Sequence, residues 1–417
     1  MITEIRAENA FVFEDKVVFS LEADMRTKKF VSNVRSFGNF NIVKVAGIYG
    51  ANNSGKTNLL KCINAIAGVL LNKGFFALYN LFSGSRIVSL GVSFIFEGRL
   101  FSYDFKYDVE KGEYVYEMFA EIIKDSTGNE KHDVWLKRDV SKSEFKSKDR
   151  KMNNILSMVA RNNIMIHLVN TEHFEWMREM QRILTGFAGK IDIVDMNNIP
   201  ILKTIGALKN KKSICRKMVD FIKNADLDMD DFYFDEEIKL HGDNQKPQEN
   251  VLNSQEQSVE LMRLTSVYRG VKVPSILFDS TGTKKIEALA SYIIEALEQG
   301  RTLVIDELDS SIHFKLARAI VALFNNELND KAQLIFTVHD ISLMDCRNMF
   351  RKEQIWFVHK DPQKVYLYSL AEFSAKDGIR DTSDLIEKYK RGALGALPEP
   401  ELINSLLEIR SEEAVNE

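Results

Sequence analysis

The N-terminal part of the chain follows the apolar and polar alternation of β-strands. Ile2–Arg6 and Val17–Leu21 each place apolar residues on one face or run apolar throughout. A continuous apolar run, Val43–Tyr49, stops at a glycine and is typical of a buried strand. From Thr57 apolar residues recur at helical spacing. The pattern therefore predicts a strand, a glycine-containing loop and a helix in direct succession.

The next part of the chain changes from strand patterns to helical ones. Between Ile87 and Phe119, three β-type runs are separated by the turn sequences EGR and EKGE, which predicts hairpins of an antiparallel sheet that forms an arm on the core. Residues 154–187 and 201–223 show helical periodicity and predict a helical subdomain. Residues 224–260 contain eleven acidic residues against two lysines, so we expect a poorly ordered connection there.

Strands and helices alternate again in the C-terminal half. The predicted elements are strands at Leu261–Tyr268 and Val273–Phe278, a helix from Lys284, a strand at Thr302–Asp306, a helix from His313 and a strand at Gln333–Val338. Such alternation is typical of a parallel sheet flanked by helices. The sequence therefore predicts an α/β fold with a mixed sheet, an antiparallel β arm and an inserted helical subdomain.

Composition and charge narrow the function classes. With 417 residues, 45% of them hydrophobic, the chain can build one large or two modest cores. The net charge of −4 gives no global positive field for nucleic acid. The cysteines Cys62, Cys215 and Cys346 lack metal-site or redox spacing, which favours a cytoplasmic protein with reduced thiols. Apolar runs stay far short of the ~20 residues that cross a bilayer, so no membrane contact is expected.

The predicted loop after the third strand has the sequence GANNSGKT. Gly50 and Gly55 let the backbone wrap closely around a phosphate chain. Lys56 can reach the β and γ phosphates, and the Thr57 hydroxyl can bind Mg²⁺. The N-terminus of the following helix points its partial positive charge at the same phosphates. The strand-loop-helix context makes this a nucleotide site.

Three further stretches carry candidate chemistry. At the end of the strand in TLVIDELDSSIH, Asp306 would hold Mg²⁺ through water and Glu307 would act as general base. The small residues Ser280, Gly282 and Thr283 precede a helix whose N-terminus could hold an anion. His339 follows the next apolar strand and could donate a hydrogen bond to a γ-phosphate.

In this order, the four stretches resemble the heads of ATP-binding cassette (ABC) ATPases, in the short form shared with the SMC and overcoming-lysogenization-defect (OLD) classes. The resemblance implies that GANNSGKT is Walker A, DSTGTKK a variant of the LSGGQ signature, VIDE Walker B, LDSSIH the D-loop and His339 the switch histidine. STGTKK, VIDELDSSIH and KYKRGALGALP are further similar to bacterial AAA-type ATP-binding proteins of the AbiL and RloA kind, which act in phage defence beside a separate effector.

The resemblance implies ATP and Mg²⁺ as cofactors, and a homodimer or higher homo-oligomer in which each ATP lies between Walker A of one subunit and the signature of the other. Nucleotide-binding residues would be Gly50, Asn52, Asn53, Ser54, Gly55, Lys56, Thr57, Asn58, Ser280, Gly282 and Thr283, metal ligands Thr57 and Asp306, and catalytic residues Lys56, Glu307 and His339. Gln181 is a candidate for the glutamine loop, which has no clear position in the sequence.

The same resemblance implies a division of the chain into four parts. They are residues 1–135 (N-terminal part of the ATPase core, with Walker A and the β arm), 136–255 (helical insertion and acidic linker), 256–373 (C-terminal part of the core, with signature, Walker B and switch histidine) and 374–417 (C-terminal helical extension). A long heptad coiled coil is missing from the sequence, which argues against chromosome-organising SMC relatives.

Our leading hypothesis is an ATPase that uses ATP-driven association of its heads to regulate a separately encoded nuclease or toxin in anti-phage defence. The alternative is a DNA-binding ATPase of the RecF or SMC sort. Its DNA contacts would be one of two basic patches, Lys142, Lys146, Lys148, Arg150 and Lys151, or Lys209, Lys211, Lys212, Arg216 and Lys217. A third hypothesis is a scaffold that binds ATP without hydrolysing it.

Overall fold

The computed structural model describes residues 1–124, 129–149, 153–167, 174–210, 212–225, 228–237, 260–379 and 383–395. Residues 238–259, part of the predicted connection, and residues 396–417, part of the predicted C-terminal helical extension, lie outside these ranges. Within the described ranges, helices are too short or too polar to cross a membrane.

The strands and helices follow the predicted order in most of the chain. The strands are β1 (Ile2–Glu8), β2 (Val17–Ser20), β3 (Val34–Phe37), β4 (Phe40–Val43), β5 (Val45–Tyr49), β6 (Ile87–Phe96), β7 (Arg99–Asp108), β8 (Glu113–Lys124), β9 (Glu130–Asp139), β10 (Glu144–Ser147), β11 (Ile191–Asp195), β12 (Asp231–Phe234), β13 (Leu264–Tyr268), β14 (Val271–Pro274), β15 (Thr302–Asp306), β16 (Gln333–Thr337), β17 (Ile355–Lys360) and β18 (Val365–Ser369). The helices are α1 (Lys56–Leu70), α2 (Asn153–Met158), α3 (Glu175–Ala188), α4 (Leu202–Asn210), α5 (Lys212–Lys223), α6 (Ser275–Phe278), α7 (Thr281–Gln299), α8 (Phe314–Asn325) and α9 (Leu385–Lys390).

The central sheet has the strand order β11-β15-β16-β5-β17-β18. Neighbours from β11 to β17 are parallel, and β18 returns antiparallel to β17. Strands β5 and β16 are buried along their whole length, as continuous apolar runs require when both faces of a parallel sheet are covered. One core cluster includes α1 and α3, and another includes α7 and α8. The predicted α/β fold is confirmed.

The predicted antiparallel arm is a seven-stranded sheet in the order β10-β9-β8-β7-β6-β1-β2. Its β6–β7 hairpin turns at Glu97 and Gly98, which both have positive φ, as a two-residue turn between twisted strands needs. Aromatic rings fill its inner face, where Phe94 stacks on Phe187 of α3 with ring centroids 3.9 Å apart. We did not predict β9 and β10, because their exposed positions alternate charges with few apolar residues.

The inserted subdomain consists of α4 and α5, which pack on α7 and on a small sheet, β12-β13-β14. Several expectations are wrong here. The runs predicted as strands at 261–268 and 273–278 do not join the parallel sheet, because β13 and β14 pair antiparallel with each other. Residues 275–278 form α6, because Pro274 has no backbone N–H with which to extend the strand ladder. The stretch 136–255 also contributes β10 to the arm and β11 to the central sheet. Its helix α3, which we assigned to the helical subdomain, packs instead with α1 and the arm. Part of the connection that we predicted to be poorly ordered forms the strand β12.

A buried glutamine joins the arm to the central sheet. The Gln333 side chain accepts a hydrogen bond from the backbone N–H of Ile2 at 2.8 Å and donates to the carbonyl of the same residue at 2.9 Å. It also donates to the Val43 carbonyl at 3.3 Å. Gln333 begins β16 and Ile2 begins β1, so this one amide fixes the arm against the strand between Walker A and Walker B.

A cluster of buried hydroxyl and carboxyl groups lies beneath the start of α7. Ser275 donates to Glu287 at 2.5 Å, and Tyr268 donates to Asp279 at 2.7 Å. Burial and, to a smaller extent, its hydrogen bond with Asp279 raise the pKa of Glu287 from an ordinary 4.5 to about 9. Burial works in the same direction on Asp279, but hydrogen bonds from Glu287, Ser266 and Tyr268 outweigh it and lower its pKa. The two carboxyl groups therefore share one proton at neutral pH.

Glu287→Gln is expected to remove a pH dependence of the free energy of unfolding. Between pH values of 4.5 and about 9, the folded chain holds a proton on Glu287 that the unfolded chain releases. The parental free energy of unfolding therefore falls as the pH rises through this window, by on the order of 1 kcal/mol per pH unit. Glutamine keeps the shape of the side chain and cannot release a proton.

Urea unfolding at about pH 6 and about pH 8.5 measures this difference. The matched control is Glu298→Gln, at the exposed C-terminal end of the same helix. A parental free energy of unfolding that changes with pH no more than that of Glu287→Gln would contradict the assignment.

Candidate functional site

The predicted phosphate-binding loop joins β5 to α1. Lys56, the first residue of α1, points its ammonium group back into the loop and donates to the carbonyls of Gly50 at 2.7 Å and Ala51 at 3.0 Å. The Lys56 side chain is buried. Burial lowers its pKa, and the nearby carboxylates of Asp306 and Asp309 oppose that effect. A cation held in this position is available to an anion bound in the loop.

The two loop glycines lie where a side chain would not fit. A Cβ on Gly50, whose φ is +152°, would lie 2.3 Å from the Val358 carbonyl oxygen and 2.8 Å from the Ser54 hydroxyl. Gly55 has φ +115°, and a Cβ there would lie 2.8 Å from the Val12 side chain. The Ser54 hydroxyl is buried and, within the described chain, has no hydrogen-bond partner. The loop therefore has a cradle and a spare buried donor, which suit a phosphate.

The remaining loop residues that we predicted lie together at the surface. Asn52, Asn53 and Thr57 are exposed, and Asn53 adopts a positive φ of 59°. Residues 51–54 line a cavity of about 160 Å³ with the end of β17. Asn58 lies in the first turn of α1, where its N–H bonds the Gly55 carbonyl at 3.0 Å. The strand-loop-helix context predicted from the sequence is present.

Thr337 of β16 holds both residues predicted at the end of β15, Asp306 through its carboxylate and Glu307 through its backbone. The Thr337 hydroxyl donates to Asp306 at 2.5 Å and accepts from the backbone N–H of Glu307 at 2.8 Å. Glu307 has a φ of +56°, a left-handed conformation that costs a non-glycine residue on the order of 1 kcal/mol. The neighbouring strand therefore fixes the backbone at the point where the chain turns away from the sheet.

His339 lies between the lysine and the second carboxylate. Its Nδ1 is 3.4 Å from the Lys56 ammonium and its Nε2 is 3.4 Å from a Glu307 oxygen. Asp309 of the D-loop accepts from the backbone N–H groups of His339 at 2.9 Å and Asp340 at 2.6 Å, which fixes the switch loop. The structure thus brings the three predicted catalytic residues into one contact series.

Asn197, which follows β11, was not among the predicted site residues. Its side-chain amide donates to Glu307 at 2.7 Å. This hydrogen bond lowers the pKa of Glu307, and His339 and Lys56 lower it further. Gln181, the candidate that we named for the glutamine loop, lies within α3. The apolar run before Asn197 could have identified a core strand, but its pairing partner lies more than a hundred residues away.

The predicted signature forms the N-terminus of α7. The Ser280 side chain caps the helix by accepting from the Thr283 N–H at 3.1 Å. Gly282 packs on the D-loop so closely that a Cβ there would lie 2.6 Å from the Ser311 carbonyl oxygen. Lys285 then donates to the D-loop hydroxyls of Ser310 at 3.1 Å and Ser311 at 3.2 Å.

The D-loop connects the signature helix to the carboxylate. The Ser310 hydroxyl bonds the Asn197 side-chain oxygen at 3.0 Å, and the Asn197 nitrogen bonds Glu307. Together with the His339 contacts, the series runs from Lys285 through the D-loop and Glu307 to Lys56. One continuous set of polar contacts therefore spans all four predicted motifs.

The oxygen donors at the site suit Mg²⁺, whose coordination shell a bound nucleotide would complete. The Thr57 hydroxyl and the Asp306 carboxylate are oxygen donors of the kind that Mg²⁺ takes together with substrate phosphates. Among the described residues, clusters of three or more His, Cys, Asp or Glu side chains with metal-site geometry are absent. The protein would thus supply few ligands, and a nucleotide the rest.

The two basic patches predicted as DNA contacts are largely paired with carboxylates. The ion pairs are Lys142–Asp139, Lys148–Asp133, Lys209–Glu260 and Lys217–Glu298. Arg150, Lys151 and Lys211 lie outside the described residues. Paired lysines have less charge to offer to a phosphate backbone, so the structure does not strengthen the case for DNA.

Comparison with solved structures finds heads of SMC proteins. The SMC head domain from Thermotoga maritima has a TM-score of 0.42 and 12% identity, over 88% of this chain and 98% of that chain. An SMC head bound to the C-terminal winged-helix domain of ScpA has a TM-score of 0.43 and 15% identity, over 88% and 97%. An SMC head with an extended coiled coil bound to the C-terminal domain of ScpA, from Pyrococcus furiosus, has a TM-score of 0.41 and 12% identity, over 93% and 99%.

Among curated proteins, none matches this chain. A family model does match, over residues 45–345, which is more than half of the chain. The matched range starts at β5 and includes Walker A, the signature, Walker B and His339. The chain therefore belongs to the P-loop ATPase family described as "AAA domain, putative AbiEii toxin, Type IV TA system".

Proposed function

We propose that this chain is an ATPase head that closes on ATP and Mg²⁺ with a second copy of itself, and that this closure regulates a separately encoded nuclease or toxin in bacterial anti-phage defence. The observation that carries the proposal is the contact series from Lys56 through His339, Glu307 and Asn197 to the D-loop and signature helix. A change at the phosphates can pass along that series to the surface that would meet the second copy.

In this proposal each site residue has one role in ATP hydrolysis. Lys56 exchanges its two carbonyl acceptors in the loop for β- and γ-phosphate oxygens. Glu307, kept ionised by Asn197, accepts a proton from the attacking water, and His339 hydrogen-bonds the γ-phosphate. The Mg²⁺ held through Thr57 and Asp306 would neutralise charge on the phosphates.

The surface before the signature supports association with a second copy. Leu277 and Phe278 of α6 expose 62% and 67% of their surface, immediately before the Ser280 cap. Phe314, at the start of α8 after the D-loop, is also exposed. Exposed apolar residues beside an anion-binding helix end are typical of an interface that closes over a ligand.

The defence role rests on the sequence resemblance and the family description. The family description names a putative AbiEii toxin and a type IV TA system, and STGTKK and VIDELDSSIH are similar to AbiL- and RloA-type proteins. The DNA-binding alternative has less support, because most described lysines of its two patches are paired. A scaffold without turnover would leave the arrangement around Glu307 without a function.

Gly50→Ala is expected to weaken ATP binding more than tenfold. The added Cβ would meet the Val358 carbonyl at 2.3 Å, and alanine resists a φ of +152°, so the loop must move away from its phosphate-binding shape. Fluorescence titration with a labelled ATP analogue measures the dissociation constant. Gly206→Ala is the control, since a Cβ there meets no atom within 4 Å. Unchanged affinity in Gly50→Ala would contradict the placement of the phosphates.

Glu307→Gln is expected to leave ATP binding intact and to lower kcat for hydrolysis by a factor of roughly 10² to 10⁴. Because the carboxylate would be needed only for turnover, ATP should hold the closed dimer of this variant together. Phosphate release and light scattering after gel filtration, each with and without ATP, measure both effects. Parental turnover would exclude Glu307 as the base, and a variant that stays monomeric with ATP would count against closure.

Asn197→Ala is expected to shift the acid limb of the kcat profile to higher pH. The Asn197 amide lowers the pKa of Glu307, so its loss raises that pKa, and the base becomes protonated at a higher pH than in the parental protein. ATP hydrolysis measured at saturating ATP across the acidic range tests this. The neighbouring exposed Asn198→Ala should leave the profile unchanged. If the acid limbs of both variants superimpose on that of the parental protein, Asn197 does not set the pKa of the catalytic base.

The regulatory part of the proposal is tested with the neighbouring open reading frames. The parental chain and Glu307→Gln are each expressed with them, and cell growth and phage yield are compared. A growth or plaque phenotype that requires both a neighbouring product and an intact ATP site supports effector control. A salt-dependent shift of DNA by the chain alone, lost when Lys146 and Arg216 are replaced by glutamate, would favour the DNA-binding alternative.

A further inference from the structure

A loop between α1 and β6 exposes large apolar side chains. Within residues 72–86, the apolar loop, Phe76 and Leu78 expose 65% and 64% of their surface, and Leu81 and Phe82 expose 78% and 90%. Single exposed hydrophobic residues are common on protein surfaces, but four within seven positions are not.

The loop is held firmly in this shape. The buried Asn9 side chain donates to the carbonyls of Ser85 and Ile87, each at 2.9 Å, and accepts from the Asn80 N–H at 3.0 Å. The buried Asn80 side chain accepts from the Phe82 N–H at 2.9 Å. These bonds fix the backbone on both sides of the exposed residues, so the exposed state does not result from a loosely attached loop.

Alternate residues of the loop point inward. The Phe75 ring packs on Tyr107 of the arm with centroids 4.4 Å apart, and Ala77 is buried. Tyr79 lies under the Arg86 guanidinium at 4.3 Å. The inward residues pack on the protein's own core, whereas Phe76, Leu78, Leu81 and Phe82 leave most of their surface exposed.

The apolar loop also contacts the tight turn at residues 10–13, which lies against Walker A. The Leu78 carbonyl accepts from the Phe11 N–H at 2.7 Å, and the adjacent Val12 side chain packs against the α-carbon of Gly55. Gly55 caps α1 at the phosphate-binding loop. The apolar loop is therefore connected to the phosphate-binding loop through Phe11 and Val12.

The exposed apolar area limits what the loop can bind alone. At about 200 Å² for a fully accessible phenylalanine side chain, the four residues present roughly 500 Å² together. A stable interface takes about 800 Å² from each partner. The rest of the interface must come from adjoining polar surface.

That adjoining surface is a wide groove with an acidic excess. Its volume is about 1280 Å³, it runs over the outer face of the arm, and its lining includes Ser83 and Ser85 of the apolar loop. Nine Asp or Glu residues and six Lys or Arg residues line it. Glu8 and Glu14, next to the loop, take part in no ion pair within the described part of the chain, and the same holds for two of the lining lysines, Lys16 and Lys106, so the acidic excess of the groove is three charges.

We infer that the apolar loop and this groove form one docking surface for a basic amphipathic segment of a second protein, whose apolar side chains cover Phe76, Leu78, Leu81 and Phe82 and whose Lys or Arg side chains enter the groove. The acidic excess repels nucleic acid and anionic lipid. It also disfavours a second copy, because a two-fold pairing would place two acidic grooves face to face. The inference adds a partner surface to the proposed function and does not depend on ATP turnover.

The test uses the full chain in its own cell with a photo-crosslinking benzoylphenylalanine in place of Phe82. The control carries it at Leu328, an equally exposed leucine in the turn after α8. We expect a crosslink to another polypeptide at position 82 but not at 328. The crosslinked segment, identified by mass spectrometry, should combine apolar residues with several Lys or Arg residues.

A labelled synthetic peptide with the crosslinked sequence is then titrated with purified protein. Leu81→Ser with Phe82→Ser should weaken binding more than tenfold, and Glu8→Lys with Glu14→Lys should weaken it with a reduced salt dependence. Leu328→Ser should have no effect on peptide binding. The Lys56→Ala variant should still bind the peptide, which keeps this result separate from any failure of the ATPase proposal. Crosslinking to another copy, to lipid or to nucleic acid, no crosslink above the control, or a segment without basic residues would each overturn the inference.

Discussion

The parallel register of β15 between β11 and β16 is the constraint on which the site depends. It sets Asp195 opposite Asp306, and Ile305 opposite Phe336, so that three strands end at one edge. Side chains that follow these ends can then meet, although Asn197 and His339 are far from Glu307 in the sequence. A slip of one residue in any of these pairs would turn the whole set to the other face.

The charges at this edge are compatible because each one has a partner. Lys56 is buried but lies near Asp306 and Asp309, and Asp306 accepts from Thr337. Such mutual compensation makes it feasible to bury a cation beside several carboxylates. The Lys56 ammonium uses backbone carbonyls as acceptors in this arrangement, and phosphate oxygens could replace them with a negative charge that compensates the buried cation.

The sequence was most informative where a short stretch of residues determines its own local structure. Walker A, β15 and β16 were predictable because a phosphate-binding loop has fixed spacing and buried parallel strands are continuous apolar runs. β9 and β10 were not, since their charged outward residues obscure the alternation, and neither was the antiparallel pairing of β13 with β14. Asn197 could not be found from sequence alone, because the hydrogen bond to Glu307 depends on strand pairing between distant segments. The contact of Gly282 with Ser311 was likewise not predictable, because it joins two stretches that are separate in the sequence.

The amide of Gln333 has a consequence for how this protein can diverge. It serves Ile2 of the arm and Val43 beside the central sheet at once, and it is fully buried. Recombination with a distant relative that shifted the backbone of Ile2 relative to β16 would leave an unmet donor or acceptor in the interior unless position 333 changed with it. Arm and ATPase core should therefore be inherited as one unit, with new specificities arising in the surface loops around them.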